Sequence, residues 1–348
     1  MITFLALWVT VATFFTVIAL ARFLASTAPG APRADVNRQG VLMLRPVDAA
    51  TPDELENLST PISGVTHVVL APFRPRLNDA VQWLPSDPLQ HNRKLGHLQY
   101  ALSILETSGR PVLVVDADVR VDDALVDALL SELASGADLA WAAPRPIERG
   151  VTRGLLVQSL HSFKALDALS GGAKPVCGKA IALNPRALEV LRSLPDCLGE
   201  DLELARKLHQ QNLKVSLAGE ANVPGAPASL NVLIARFTRW MQVLKAHRPL
   251  LFPTIPLLFA ATPMLALAAA LLGSTPLLLG ALGLVSARAT LAAVLERRAF
   301  TFGAWFGAEL LLLFCWLNAL VLGSKVTWRG RVMEVGVHGR LSRAGGVP

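Results

Sequence analysis

Pro111-Val-Leu-Val-Val-Asp-Ala-Asp-Val-Arg120 is the stretch whose reading decides the fold. Val112 to Val115 form a continuous β-branched and aliphatic run, which predicts a strand buried on both faces. The run stops at two carboxylates one residue apart, Asp116 and Asp118. Ending a buried strand on two charges is costly unless something neutralises them. A bound cation does so. So does an exposed C-terminal strand edge, which is where ligands sit in open α/β sheets. A hard divalent ion takes one or two carboxylates and completes its shell with phosphate oxygens. The stretch therefore suits a metal–diphosphate site. It also suits a plain Asp-rich turn capping a helix that starts near Asp122.

Composition bounds the rest. The 348 residues have room for one large domain or two smaller ones. Some 52% are apolar and 17% charged, against about a quarter charged in soluble domains. The apolar excess lies at the two ends, which points to a soluble middle held by membrane segments. The 33 basic and 26 acidic residues give a net charge of +7. On a membrane protein this favours anionic lipid headgroups. No basic run with interleaved aromatics suggests a nucleic-acid groove. Cys177, Cys197 and Cys315 have no metal-ligand spacing, imply no disulfide framework and fit a reducing compartment.

The alternation of elements follows from the middle of the chain. Val41–Pro46 and Thr66–Ala71 read as strands. Between them Thr51, Pro52 and Glu54 supply an N-cap, a first-turn proline and a capping box. Residues 72–92 read as irregular. Arg93–Glu106 has helical spacing, and a helix is expected from Asp122 to about Ser135. Asp138–Ala143 and Ala180–Leu183 read as strands, with a helix over Arg153–Leu169 between them. A short helix at Pro185–Leu194 and a helix opened by Glu200 and Asp201 after a turn at Gly199 come next. Leu213–Leu217 reads as the last clear strand. Strand alternating with helix argues for an α/β sheet with substantial parallel pairing.

The ends read differently. Residues 2–21 are almost wholly apolar, long enough to span a bilayer, with basic residues after rather than before them. This predicts an anchor over residues 1–24 and a linker over 25–40. The positive-inside rule then puts the next domain in the cytoplasm. Residues 229–249 predict a basic amphipathic helix: Leu233, Ile234, Phe237, Trp240, Met241 and Leu244 on the apolar side, Arg236, Arg239, Lys245 and Arg248 on the other. Such a helix commonly lies in the membrane interface. Residues 250–323 hold three apolar segments, 250–272, 276–295 and 302–323, the first interrupted by Pro253, Pro256 and Pro263. Arg297, Arg298 and the basic tail, 324–348, each point to the cytoplasm, whereas three full spans would put the tail on the far side. Arg288 and Glu309 fall within apolar segments, and either mark a functional site or pair with each other. The Ala/Arg/Leu-rich usage points to a bacterium, hence to a multi-pass protein of the inner membrane.

In this order, the Asp116-Ala-Asp118 strand end, Gly199-Glu-Asp201 and Arg236-Phe-Thr-Arg-Trp240, flanked by apolar helices, resemble the ceramide glucosyltransferase-like family 21 and processive family 2 glycosyltransferases. Their bacterial hopanoid-type relatives are included in that likeness. It runs from about Val41 to Trp240 and resumes at Trp328-Arg-Gly-Arg331. The resemblance implies a GT-A, Rossmann-like domain over 41–228 between N- and C-terminal transmembrane helices. It implies Mg²⁺ or Mn²⁺ on Asp116 and Asp118, held against the diphosphate of a nucleotide sugar, UDP-linked in the first instance. Asp201 would be the general base. Arg236, Arg239 and Trp240 would lie near diphosphate and acceptor, and Lys94 fits a basic position that the family places before the central strand. The implied reaction is inverting transfer of one sugar to a membrane-lipid hydroxyl. A polysaccharide synthase, or a silent binding protein on the same fold, would share these features. One departure stands out: Ala71-Pro-Phe-Arg-Pro75 lacks the family's early Asp, which contacts the nucleobase, and Asp79 is the nearest carboxylate.

Overall fold

The computed structural model of the protein describes residues 2–26, 36–146, 175–224, 229–296, 302–328 and 331–343. The expected helix at 153–169 and the loop residues 171–174 lie outside them, as do the linker over 27–35, Arg297, Arg298 and Arg329. The chain divides into two compact units. Described residues 36–146, 175–224 and 335–343 belong to a sheet unit, and those in 2–26 and 229–334 to a helical unit.

The sheet unit contains β1 (Val41–Pro46), β2 (Val65–Ala71), β3 (Gln82–Pro85), β4 (Val112–Val115), β5 (Leu139–Pro146), β6 (Ala180–Leu183) and β7 (Val215–Val223). Their order is β3-β2-β1-β4-β6-β5-β7. Only β6 runs antiparallel, against both β4 and β5. β4 is buried throughout, as a continuous aliphatic run requires. The chain leaves β1 toward β3 and returns to β4 on the other side of β1. This reversal opens a crevice at the C-terminal ends of β1 and β4, the place where open α/β sheets bind ligands.

Local chemistry sets the helices. The Thr51–Glu54 capping box is formed in both directions at α2 (Pro52–Ser59). Asn92 caps α3 (Arg93–Ile104), Asp122 caps α4 (Asp123–Ala134) and Asn184 caps α5 (Pro185–Arg192), each through its side chain. Leu125, Val126, Leu129 and Leu130 of α4 pack on Leu113, Val115, Ala140 and Ala182 of the sheet. Two expectations change. Residues 72–92 contain β3, an exposed four-residue edge strand whose sequence carries no alternation. β7 runs to Val223, well past Leu217, and further strands follow at Lys325–Trp328, Arg331–Val335 and Leu341–Arg343.

The helical unit contains α1 (Ile2–Ser26), α7 (Leu230–His247), α8 (Ala261–Leu272), α9 (Thr275–Glu296) and α10 (Phe302–Leu322). Among the described residues, Trp305–Leu322 is the stretch both long and apolar enough to cross a bilayer. Thr3–Ile18, Ala261–Leu272 and Thr275–Thr290 are apolar but shorter. The proline-interrupted segment is broken: a π turn at Ile255–Phe259 precedes α8. The amphipathic helix forms as α7, but its apolar face is not open to lipid. Leu233, Phe237 and Met241 pack on Ala308, Leu312, Cys315 and Ala319 of α10, with Trp240 and Leu244 at the edge of that cluster.

Arg288 and Glu309 pair at 2.7 Å, both buried. The broken segment leaves carbonyls that lack helical partners, and Arg288 donates to those of Leu258 and Phe259. Glu309 accepts from the Thr262 amide (3.0 Å), the Thr262 hydroxyl (3.1 Å) and Trp305 Nε1 (2.9 Å). The pair is thus explained as a staple across the break. Removing one partner strands the other charge, so Glu309→Ala should lower stability by about 3–5 kcal/mol. The double variant Arg288→Met/Glu309→Leu should recover the part of that loss due to the stranded charge but not the part due to the break, because the Leu258 and Phe259 carbonyls lose their donor. Thermal unfolding in detergent reads both. Parent-like stability of the double variant would contradict the staple.

Candidate active site

The antiparallel register of β4 and β6 builds the first half of the site. Val115 lies opposite Ala180, so the next residues out, Asp116 and Lys179, face each other. The Asp116 amide donates to the Lys179 carbonyl at 2.9 Å. The Lys179 ammonium then bridges both carboxylates, at 3.1 Å from Asp116 Oδ2 and 2.6 Å from Asp118 Oδ2. Lys179 carried no signal in the sequence, because an antiparallel strand inside a parallel sheet is not legible from composition or period. Asp122, not Asp116 or Asp118, caps α4. The two carboxylates are therefore not the helix-capping turn.

Arg45 is the second residue that sequence reasoning missed. It sits in β1, fully buried, where alternation and hydropathy would place another aliphatic. Its guanidinium donates to the carbonyls of Asp116 (2.9 Å), Ala117 (3.2 Å) and Val119 (2.7 Å), and to that of Asn57 (2.6 Å). The Asp-Ala-Asp turn is thus held from behind by its own backbone. Burial drives the Arg45 pKa down to about 10, against the pull of Asp116 and Asp118, so the group stays charged at neutral pH.

The second half comes from α3 and α6 (Glu200–Gln210). Lys94, the second residue of α3, is not an exposed helix lysine. Its ammonium lies 2.7 Å from Asp116 Oδ1, 3.2 Å from Glu200 Oε1 and 2.7 Å from the Gly178 carbonyl. Burial opposes its charge, but Asp116 and Glu200 outweigh burial and raise its pKa. Burial likewise opposes the Asp116 charge, and Lys94 and Lys179 turn the balance, so its pKa is lowered.

Asp201 is not a helix cap. Gly199, in the left-handed conformation at φ 77°, holds the N-cap position without a side-chain bond. Asp201 sits in the first turn, accepting from the Gly178 amide (2.9 Å) and the Leu202 amide (2.9 Å). Burial, then the negative charge of Glu200, raises its pKa to about 6. Gly178 separates Lys94 from Asp201: a Cβ there would lie 3.0 Å from Lys94 Nζ and 3.3 Å from Asp201 Cβ. A side chain there would require both groups to give by a few tenths of an ångström.

Asp79 lies in the turn before β3, whose Gln82 lies opposite Val68 and whose Pro85 lies opposite Ala71. Arg236, Arg239 and Trp240 belong to the helical unit. There the Trp240 ring packs on Phe237, centroids 4.9 Å apart. Burial and the neighbouring Arg236 lower the Arg239 pKa.

The residues at the strand ends fit a divalent ion. Asp116, Asp118, Glu200 and Asp201 face the Lys94 and Lys179 ammonium groups, with the Arg45 guanidinium behind the turn. Carboxylates exceed cations. Lys179 already shows the Asp116–Asp118 pair holding one positive charge between them. Among the described residues no third carboxylate, histidine or cysteine completes a cluster, so the remaining ligands would come from phosphate and water.

A mixed sheet of this order, with paired carboxylates at the β4 edge, defines a GT-A-type transferase fold. Residues 83–341 match the family described as Glycosyl transferase family 21, and the chain belongs to that family of glycosyltransferases. Its fold is similar to the mannosyltransferase PcManGT from Pyrobaculum calidifontis, solved in complex with GDP-Man and Mn²⁺. The TM-score is 0.52 at 17% identity, covering 92% of this chain and 99% of that one. Glucosyl-3-phosphoglycerate synthase from Mycobacterium tuberculosis, solved with Mn²⁺, UDP-glucose and phosphoglyceric acid, is a more distant likeness. Its TM-score is 0.41 at 17% identity, covering 63% of this chain and 84% of that one. No curated protein matches the chain.

Arg45→Met should cost about 3 kcal/mol, because three carbonyls of the turn lose their buried donor. Urea unfolding measures the loss, and hydrogen exchange should rise at Val119, whose amide bonds to Asp116. Unchanged stability would mean that the turn does not depend on Arg45.

Proposed function

We propose that the protein is an inverting glycosyltransferase that moves one sugar from a nucleotide sugar, UDP-linked in the first instance, to a membrane-lipid hydroxyl. The observation that carries this reading is Lys94. Its ammonium touches both Asp116 at the strand end and Glu200 beside Asp201, so a diphosphate-binding pair and a basic carboxylate share one edge. Asp116 and Asp118 would hold Mg²⁺ or Mn²⁺, which supplies charge neutralisation to the leaving diphosphate. Lys94 and Lys179 place two further positive charges there.

Asp201 then accepts the proton of the acceptor hydroxyl as its oxygen attacks the anomeric carbon. The bond from that carbon to the diphosphate oxygen breaks, and its electron pair leaves with the diphosphate. Attack opposite the leaving group inverts the anomeric centre. The two amides on Asp201 fix its orientation, and the Glu200 charge keeps it more basic than an ordinary carboxylate. The acceptor reading rests on composition: a ceramide- or hopanoid-like lipid explains the apolar helices around a soluble sheet. It carries with it the anchor at residues 1–24, a cytoplasmic catalytic domain in the inner membrane, and Arg236, Arg239 and Trp240 near the diphosphate and acceptor. The absent early carboxylate favours a second reading, a fold member that has lost donor binding.

Purified protein in mixed lipid, given UDP- and GDP-sugars with Mg²⁺ or Mn²⁺, should release nucleotide with one donor. Asp201→Asn and Asp116→Asn should each lower the rate by about a hundredfold or more. No release with any donor would favour the second reading. The pH dependence follows from Asp201. The base works when deprotonated, so kcat should fall as pH drops through about 6. Glu200→Gln removes the charge that raises that pKa, and the acid limb should move to lower pH. An unmoved limb would assign it to another group.

A further inference from the structure

The residues after the last apolar helix do not all belong to the helical unit. Val335 to Arg343 belong to the sheet unit, where they meet the segment that leads into Asp201. The Leu198 amide donates to the Gly339 carbonyl at 2.7 Å, and the Leu341 amide to the Asp196 carbonyl at 3.2 Å. These bonds make an isolated antiparallel bridge between Cys197 and Arg340. The tail is shaped for the contact. His338 and Gly339 take positive φ values, 55° and 73°, and the Gly336 amide closes the turn on the Arg340 carbonyl at 2.8 Å. A histidine in the left-handed region persists only where surrounding contacts hold it there.

The other side of the same segment is held by the start of α3. Asp196 Oδ2 accepts from the His91 amide at 2.7 Å, and Oδ1 from the Asn92 amide at 2.9 Å. Asn92 Nδ2 donates to the Cys197 carbonyl (2.8 Å) and to Glu200 Oε2 (2.9 Å), while its Oδ1 caps the helix that carries Lys94. Residues 196–198 are thus clamped between α3 and the tail. Gly199, Glu200 and Asp201 follow without a break. A shift of this segment would move Glu200 and Asp201 together, and misplacement of a reacting group by about 1 Å can cost a hundredfold in rate.

We infer that the C-terminal turn Gly336–Leu341 is a positioning element for the catalytic segment, setting Glu200 and Asp201 through its backbone bonds to Asp196 and Leu198. The inference rests on Asp201 acting as the base.

Two variants test it. One ends the chain at Val335. The other, Leu341→Pro, removes the amide that donates to the Asp196 carbonyl. Leu341→Ala keeps that amide and serves as the conservative partner. Transfer by the full-length protein is measured first, since its absence counts against the proposed function alone. Given transfer, truncation and Leu341→Pro should lower kcat by about a hundredfold, with the donor KM within about threefold, and Leu341→Ala should restore the parent rate. The acid limb of kcat should also move in the two damaged variants, which simple loss of folded protein would not produce. Hydrogen exchange supplies a readout that needs no activity: the Leu198 and Leu202 amides should lose protection in both variants while β4 amides keep theirs. Parent-like exchange at Leu198 and Leu202, or parent-like kcat after truncation, would overturn the inference.

Discussion

The sheet unit depends on one electrostatic constraint. A fully buried strand ends in Asp116-Ala-Asp118, and the two charges stay at that edge because cations surround them on three sides. Lys94 approaches from α3, Lys179 from across the β4–β6 register, and Arg45 holds the turn's carbonyls from beneath. Remove the cations and the desolvation penalty would neutralise or expel the carboxylates. With Glu200 and Asp201 included, four carboxylates face three cations, the condition under which a divalent ion and a diphosphate can enter as a pair.

Asp201 depends on the same arrangement at one remove. Lys94 ties Asp116 to Glu200, and burial together with the Glu200 charge keeps the neighbouring Asp201 weakly acidic. The Asp116 end and the Glu200–Asp201 end of this edge are linked through one ammonium group. Gly178 is the small residue that lets that ammonium and the Asp201 carboxylate sit side by side. At the α6 entry the N-cap position is held by Gly199 in the left-handed conformation, and Asp201 sits in the first turn.

Much of this is legible in the sequence. The β4 run, the Thr51 capping box, the strand at Ala180–Leu183 and the turn at Gly199 rest on local rules, and they appear where local rules put them. What was not legible depended on distant partners. Lys179 acquires its place from antiparallel register. Arg45 looks misplaced in a buried strand until the carbonyls of a turn 71 residues later are seen around it. β3 is too short and exposed to carry a pattern. The apolar face of α7 reads the same whether it meets lipid or α10, and sequence periodicity cannot separate the two. The tail's bonds are all from backbone atoms, which no side-chain pattern announces.

The most direct test is calorimetric titration of UDP and GDP into the full-length protein in lipid, with and without Mn²⁺. The account predicts that one nucleotide binds with Mn²⁺ present, that binding weakens at least tenfold without it, and that Asp118→Asn removes the metal's effect. Tight nucleotide binding that ignores both Mn²⁺ and Asp118 would contradict the assignment of the β4 edge as the metal–diphosphate site.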